Sequence, residues 1–269
     1  MGTLVTLERV EQGIGLITLN SPEKLNALTN DLIADLDSVL CEAERADDIH
    51  VVVLTGAGRA FAAGADIKLM QHFTPEEAMA YSKRTTDLYD SIEQSNTVFI
   101  AAVNGFALGA GCELAMACDL RIASEKAKFG LPETSLGIIP GGHGTQKLPK
   151  LLGIGKAKEL IFLGENISAP EAAALNLVNK VTAPEALIES ALAIARKIAG
   201  GPSRIIGYAK QAINMSFRAE ESIGNQVENQ LFGLCFATAE QEEGMAAFID
   251  RRPADFKKTL QKLTVPREK

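Results

Sequence analysis

Two short, wholly apolar runs in the sequence, each followed within two residues by a glycine, constrain the fold more than any other feature. They cover residues 51–54 and 98–103. An apolar run without polar alternation is typical of a strand whose two faces are both buried. Between the runs, Thr74-Pro75-Glu76-Glu77 combines a capping box with proline at the first helical position, which predicts a helix to about Glu93. The order strand, glycine-rich loop, helix, strand, glycine-rich loop, helix therefore predicts an α/β core.

The last third of the chain follows a different pattern. Beyond about Pro184 the strand patterns stop and helical patterns follow, with a break at Gly200-Gly201-Pro202. Thr238-Ala239-Glu240-Gln241 is a possible further capping box. We expect residues 1–199 to form the α/β core that carries the site, and residues 200–269 to form a helical region.

Composition and charge exclude several classes of protein. The chain has 269 residues, 46% of them hydrophobic, and 27 basic against 34 acidic side chains give a net charge of −7. This length suits one large domain with an appendage, and the acidic balance with few aromatic residues disfavours a nucleic-acid surface. The longest uncharged stretch, residues 94–112, holds too many polar side chains for a membrane span. Four cysteines without Cys-x-x-Cys spacing are typical of reduced thiols, so we expect a cytoplasmic protein.

Several familiar cofactor and metal motifs are missing from the sequence. Gly109-Ala110-Gly111 begins like a dinucleotide-binding fingerprint, but Leu114 stands at the place of the third glycine. His50, His72 and His143 are too widely separated to form a zinc-protease helix or an evident serine triad. We therefore expect neither a bound cofactor nor a metal ion.

Two glycine-rich turns at predicted strand ends are the candidates for a ligand site. The first covers residues 56–66, and the second covers residues 104–113 and leads into a helix. Small side chains let a ligand approach backbone N–H groups directly. The N-terminus of a helix also presents unsatisfied donors at the positive end of its dipole. One donor from each turn would make an oxyanion hole for developing negative charge.

Two glutamates lie close to the second turn. Glu113 falls in the first turn of the predicted helix, and Glu133 follows Pro132. Each has a purely structural interpretation, because an acidic first turn favours the helix dipole and proline followed by glutamate is a common helix start. Together they allow another one, since two carboxylates facing one small cavity titrate at different pH values. One can then act as an acid while the other acts as a base.

Five ordered stretches of the chain carry a resemblance to a known family. They are residues 56–68, Ile100-Ala101-Ala102-Val103-Asn104-Gly105, Gly109-Ala110-Gly111-Cys112-Glu113, Phe129-Gly130-Leu131-Pro132-Glu133 and Leu136-Gly137-Ile138-Ile139-Pro140-Gly141. The chain resembles the crotonase, or enoyl-CoA hydratase/isomerase, superfamily over nearly its whole length, and is closest in motif to enoyl-CoA hydratase. Each motif is weak by itself, but their order is highly specific.

The resemblance implies a fold, an assembly and a ligand. The fold would be an α/β spiral of repeated ββα units, followed by a C-terminal helical region that builds trimers, commonly paired into hexamers. The ligand would be an acyl-CoA thioester, so coenzyme A would enter as part of the substrate and no separate cofactor is expected.

Five positions in this chain match the reaction centre of the superfamily. The resemblance implies that the backbone N–H groups of Ala65 and Ala110 form the oxyanion hole for the thioester carbonyl. Glu113 and Glu133 match the two acid/base glutamates that hold a water and add it across the double bond. Gly141 would orient that water through its backbone. Ala110 departs from the frequent glycine and adds a methyl group beside the thioester.

Other positions match the coenzyme A site. The segment that would line the nucleotide end of CoA comprises Leu25, Ala27, Ala63, Asp66, Ile67 and Lys68. The superfamily often takes further CoA contacts from a neighbouring subunit, and the matching residues here are Phe232, Phe248 and Arg251. Arg251 lies in residues 250–269, where seven basic and three acidic side chains interrupt an otherwise acidic protein. This segment is interpreted either as a solvated terminal helix or as an anion-binding one.

Both glutamates together favour a hydratase, because double-bond isomerases of the superfamily typically lack one of them. The predicted reaction adds water to a trans-2-enoyl-CoA and gives a 3-hydroxyacyl-CoA. Isomerase activity, or another crotonase-type acyl-CoA reaction, is the first alternative, since the same carboxylates can move a proton between carbons. A noncatalytic protein that binds CoA or RNA is the second. His143 occupies a position that is commonly small, and a loop histidine is more often a bystander than a catalyst.

Overall fold

The computed structural model describes residues 3–261, and its strands form two sheets. The strands are β1 (Val5–Glu11), β2 (Gly13–Leu19), β3 (Ile49–Gly56), β4 (Ala60–Ala62), β5 (Val98–Val103), β6 (Phe106–Leu108), β7 (Leu120–Ser124), β8 (Lys128–Gly130), β9 (Ile167–Ser168) and β10 (Lys180–Thr182). The larger sheet has the order β1-β2-β3-β5-β7-β10, and the smaller has the order β4-β6-β8-β9. In the larger sheet β1 pairs antiparallel with β2, and the other pairs are parallel.

The helices of the described chain follow the strands in alternation. They are α1 (Asn30–Arg45), α2 (Ile67–Met70), α3 (Pro75–Gln94), α4 (Ala110–Ala117), α5 (Gly144–Leu152), α6 (Ile154–Leu163), α7 (Ala169–Ala174), α8 (Leu187–Ala199), α9 (Ser203–Arg218), α10 (Glu221–Cys235), α11 (Ala239–Ile249) and α12 (Lys257–Gln261). Three times the chain passes through a strand of the larger sheet, a strand of the smaller sheet and then a helical segment. This repeated ββα spiral confirms the predicted fold class.

The apolar runs form strands with two buried faces, as predicted. In β3, Val52 and Leu54 pack into the large core that also contains α1, α3 and α4, whereas Val51 and Val53 pack into a second core with α8. Successive residues of a strand point to opposite faces of the sheet, so a strand covered by helices on both faces needs an unbroken apolar run.

Two capping predictions have different outcomes. Thr74 and Glu77 form the predicted capping box at the start of α3. Thr238 caps α11 by accepting the N–H of Gln241, but the expected reciprocal bond is absent from the described contacts. The Thr238 N–H donates instead to the carbonyl oxygen of Cys235. The preceding helix thus satisfies the donor that a capping glutamine would have taken.

The end of the chain is helical from Leu187 to the last described residue, without a strand in that part. Residues 262–269, which include much of the basic segment, lie outside the described residues. The boundary near residue 199 falls between α8, which covers the larger sheet, and α9, and it stays a prediction. Between residues 3 and 261 no helix is long and apolar enough to cross a membrane.

Candidate active site

A cavity of about 570 Å³ lies where the two glycine-rich turns meet the segment after β8. The strands of the smaller sheet end side by side, because β4 pairs with β6 and β6 with β8 in parallel. Residues far apart in sequence are thereby brought to one edge of that sheet. The sequence-predicted residues that line the cavity are Ala63, Ala65, Ile67, Ala110, Glu113, Glu133 and Gly141.

Two backbone donors are free at this cavity. Neither the Ala65 N–H nor the Ala110 N–H has an acceptor within residues 3–261. For Ala110 the reason is that it is the first residue of α4. Gly109 precedes the helix with a φ of 51°, a conformation that favours glycine. Gly111 passes so close to β4 that a Cβ atom there would lie 1.9 Å from the Ala62 carbonyl oxygen. The small residues are thus required for the two turns to approach each other.

Glu113 is a buried carboxylate held by the loop before α5. Its Oε1 atom accepts hydrogen bonds from the N–H groups of Gly142 and Gly144, at 2.8 and 2.7 Å. Only 2% of the residue is exposed. Burial raises the pKa of Glu113 to about 7, opposed by the Gly144 hydrogen bond and assisted by the nearby charge of Glu133. This carboxyl group can therefore gain or lose a proton near neutral pH.

Glu133 offers a less satisfied carboxylate. It lies in a short 3-10 helix, Pro132–Leu136, and its Oε2 atom is buried without a hydrogen-bond partner in the described part of the chain. Its Oε1 atom lies 2.9 Å from the position that a Cβ atom on Gly109 would occupy, so glycine is needed there. Burial raises the pKa of Glu133. A buried carboxylate oxygen without a partner is prepared to bind a polar ligand.

The predicted CoA residues fall into two groups. Around the first turn, Leu25 accepts the N–H of Ala63, Ala27 precedes a residue that pairs with Ala65, and Asp66 caps α2 through the N–H of Lys68. Leu25, Ala27, Asp66 and Lys68 border the cavity segment without lining the cavity itself. In the second group, Phe232 lies on α10, Phe248 lies on α11 and Arg251 lies in the turn after α11. All three are exposed and do not line the cavity within one described chain.

Helix α3 supplies one wall of the cavity that sequence reasoning missed. Tyr81 and Ser82 line it, and the Ser82 hydroxyl donates to the carbonyl oxygen of Gly141 at 2.7 Å. The rest of the cavity lining is mostly apolar and includes Met79 on α3, Met70 on α2, and Leu136, Ile138 and Ile139 in the segment after β8. An apolar stripe on a helix is the pattern of ordinary core packing, so nothing in the sequence marks it as a ligand wall.

His143 lies outside the cavity lining and is the N-cap residue before α5, with a φ of 75°. The ligand atoms of Asp90, Glu93 and His143 lie within 4.8 Å of one another, a grouping that the sequence did not reveal. Both carboxylates are already paired with cations, Asp90 with Arg218 and Glu93 with Arg218 and Lys147. The arginine and the lysine therefore already neutralise the negative charge that would attract a metal ion.

The alternation of ββα units around a cavity with two buried carboxylates and two free backbone donors defines a crotonase-type fold and site. A sequence model of the family described as enoyl-CoA hydratase/isomerase matches residues 9–259. The chain belongs to this family.

Individual relatives agree with this assignment. The chain is 43% identical over 249 residues to the short-chain-enoyl-CoA hydratase of Clostridium acetobutylicum, which covers 92% of this chain and 95% of that protein. It is 40% identical over 253 residues to the crotonyl-CoA hydratase of Syntrophomonas wolfei, with 94% and 97% covered. A crystal structure of enoyl-CoA hydratase from Bacillus anthracis matches with a TM-score of 0.88 at 38% identity, covering 94% of this chain and 99% of that one.

Proposed function

We propose that this protein is an enoyl-CoA hydratase, which adds water across the α,β double bond of a trans-2-enoyl-CoA to give a 3-hydroxyacyl-CoA. The observation that carries the proposal is the convergence of Glu113, Glu133 and two unpaired backbone donors on one cavity. The names of the relatives from Clostridium and Syntrophomonas support the same reaction. The substrate class is therefore an acyl-CoA thioester.

The geometry accounts for the chemistry in two parts. The thioester carbonyl oxygen accepts hydrogen bonds from the N–H groups of Ala65 and Ala110, which stabilise the negative charge that develops there when a nucleophile attacks the β-carbon. One such donor typically contributes about 3–4 kcal/mol to transition-state stabilisation. Unlike water, these donors are fixed by the two turns before the substrate arrives.

The two glutamates move the protons. One glutamate, as the carboxylate, takes a proton from the water while the oxygen of the water bonds to the β-carbon. The other glutamate, as the carboxylic acid, gives a proton to the α-carbon. Burial raises the pKa of each carboxyl group, and the charge of Glu133 raises the pKa of Glu113 further, to about 7, so Glu113 can carry a proton close to neutral pH. The exposed backbone of Gly141 borders the same space and would orient the water.

Further features complete the proposal. Leu25, Ala27, Ala63, Asp66, Ile67 and Lys68 would contact CoA, and Phe232, Phe248 and Arg251 would reach it from a neighbouring subunit. Residues 200–269 would then form the helical region of a homotrimer or a homohexamer. The reaction needs no cofactor beyond the CoA of the substrate. All four cysteines are free thiols, which supports a reducing compartment such as the cytoplasm.

The test follows the ultraviolet absorbance of crotonyl-CoA and of a longer enoyl-CoA, because hydration destroys the conjugated double bond. We expect activity in the wild type and a fall of about 10²-fold or more in Glu113→Gln and in Glu133→Gln, the usual range for removing an acid/base group. Glu125→Gln, which changes an exposed glutamate, is the matched control and should keep full activity.

The same assay separates the alternatives. CoA binding without loss of absorbance, together with conversion of a 3-enoyl-CoA into its conjugated isomer, would replace hydration by isomerisation. CoA binding without any reaction would contradict an enzymatic role. Salt-sensitive RNA binding would revive the noncatalytic alternative, which the net charge of −7 disfavours.

A further inference from the structure

Tyr89 is buried beside the residues that flank Glu113, and the proposed reaction makes no use of it. It lies on α3 and has no exposed surface. Its hydroxyl donates a hydrogen bond to the carbonyl oxygen of Ala110 over 2.6 Å. Its ring lies against Gly142, because a Cβ atom on that glycine would come within 2.7 Å of the ring Cε2 atom. One side chain thus contacts the residue that carries a free backbone donor and the residue that binds Glu113.

The Tyr89 hydroxyl is a lasting donor in this position. Burial raises its pKa well above the ordinary value, and the nearby Glu113 carboxylate raises it further, so the phenol stays protonated. The Ala110 carbonyl oxygen therefore keeps this O–H donor at neutral pH. The bond is also shielded from water, which makes its loss costly because the carbonyl is left in a buried place.

The backbone on both sides of the Ala110 N–H is held by hydrogen bonds. The N–H group of a first helical residue makes no bond within its own helix, but the carbonyl of the same peptide, on Gly109, accepts the N–H groups of Cys112 and Glu113 at 2.8 and 3.0 Å. Gly109 holds the preceding backbone by donating its N–H to the Gly130 carbonyl oxygen at 2.9 Å. Tyr89 holds the following carbonyl. The bonds of Gly109 on one side and the bond of Tyr89 on the other together determine the orientation of the Ala110 N–H.

We infer that Tyr89 is a positioning residue for the reaction, which fixes the Ala110 backbone so that its N–H meets the thioester oxygen. This inference rests on the proposed function, because it assigns Tyr89 a task within the proposed oxyanion hole. Tyr89 itself does not touch the substrate, since the lining of the cavity does not include it. Its influence is on the charge of the transition state rather than on the binding of CoA.

The test replaces Tyr89 by phenylalanine, which removes the hydroxyl and keeps the ring against Gly142. The kcat for crotonyl-CoA hydration should fall about 10-fold, less than the 10²- to 10³-fold loss of a whole oxyanion donor, while KM changes less than twofold. Binding is compared with two further ligands. Acetoacetyl-CoA, whose enolate places negative charge on the oxygens, should bind about 10-fold more weakly, and butyryl-CoA, whose carbonyl is neutral, should bind unchanged.

Titration with butyryl-CoA also counts the folded sites, so kcat is expressed per site even where the variant is less stable. Tyr208→Phe makes the same change on α9 and should keep all four values. An unchanged kcat in Tyr89→Phe, or an equal loss of affinity for both ligands, would overturn the inference while the hydratase assignment stands. A wild type that neither hydrates crotonyl-CoA nor binds acetoacetyl-CoA more tightly than butyryl-CoA would instead overturn the proposed function.

Discussion

At the scale of single residues, the fold buries the Glu113 carboxyl group, and this burial makes the stability of the protein depend on pH. The pKa of Glu113 lies near 7 in the folded chain and near 4.5 as the ordinary value, mainly because the side chain is buried. The folded state therefore binds more protons than the unfolded state between these pH values. Its stability is greatest below the lower value and is lost as the pH rises through the upper one.

Glu113→Gln should remove this dependence. The free energy of unfolding of the variant, relative to the wild type, should rise by about 3 kcal/mol between pH 4.5 and pH 8, since each pKa unit corresponds to about 1.4 kcal/mol. Urea unfolding at a fixed protein concentration measures the difference at each pH. A difference that stays constant with pH would contradict a raised pKa for Glu113. The Glu113 carboxylate is thus expected to make the protein less stable at neutral pH than at pH 4.5.

The loop glycine beside Glu113 gives a second residue-scale prediction. A Cβ atom on Gly142 would lie 2.4 Å from the Glu113 Oε2 atom and 2.7 Å from the Tyr89 ring. Gly142→Ala should therefore displace the carboxylate and lower kcat for crotonyl-CoA about 10²-fold, as expected for a shift of about 1 Å in a reacting group. Gly155→Ala is the control, because a Cβ atom there meets open space. If Gly142→Ala is as active as Gly155→Ala, the prediction that the added methyl group disturbs Glu113 is contradicted.

The sequence predicts single residues of the site unevenly. The two glycine-rich turns and Glu113 stand in short motifs whose composition points to a ligand, whereas the choice of Ala65 and Ala110 within those turns comes from the resemblance to the family. The hold of Gly142 on Glu113 and of Tyr89 on Ala110 depends on contacts 29 and 21 residues apart in sequence. No local pattern encodes such a pairing, and a buried tyrosine on a helix is equally typical of a core.

At the scale of elements, α9 is fastened to the core by a buried lysine. Lys210 donates to the carbonyl oxygens of Ile92 and Thr97, each at 2.8 Å, and pairs with Asp119 at 2.9 Å. Lys210→Met should lower the free energy of unfolding by about 3–5 kcal/mol, because the partner carboxylate is left buried and unpaired. Chemical denaturation should show this loss of stability, whereas the activity per folded molecule should change little.

Lys158→Met, which changes an exposed lysine of α6, is the control for this prediction and should shift stability by less than about 0.5 kcal/mol. A similar small shift in Lys210→Met would mean that the apolar packing of α9 suffices without the ion pair.

The elements themselves were more predictable than their connections. Strands β3 and β5 and helix α3 begin and end within a few residues of the expected places, because an unbroken apolar run and a capping box are local features. Which sheet a strand joins is not local. β4, β6 and β8 have three residues each, too short for a periodic pattern, and they build the sheet whose edge forms the site.

At the scale of the whole molecule, large apolar side chains are exposed on the C-terminal helices. They include Phe232, Leu234, Phe236, Phe248 and Ile249, of which Phe248 is 86% exposed. Exposed apolar patches mark interaction surfaces, and the partner that the resemblance to the family implies is a second copy of this chain. We expect sedimentation equilibrium to give a mass of three or six chains. Phe236→Glu should lower this mass, since a charge cannot be buried there without a partner, and a monomeric wild type would contradict the expectation.

The alternation of the chain between two sheets has a kinetic consequence. Ala65, Ala110 and Glu133 come from three successive ββα units, so the cavity is complete only after strands from distant parts of the chain have paired. Such non-local pairing is slow, because loop closure costs entropy before any contact compensates for it. During refolding from denaturant, catalytic activity should return with the last phase, after most helical circular dichroism has recovered. The rate at which activity returns therefore reports when the last strands of the two sheets have paired.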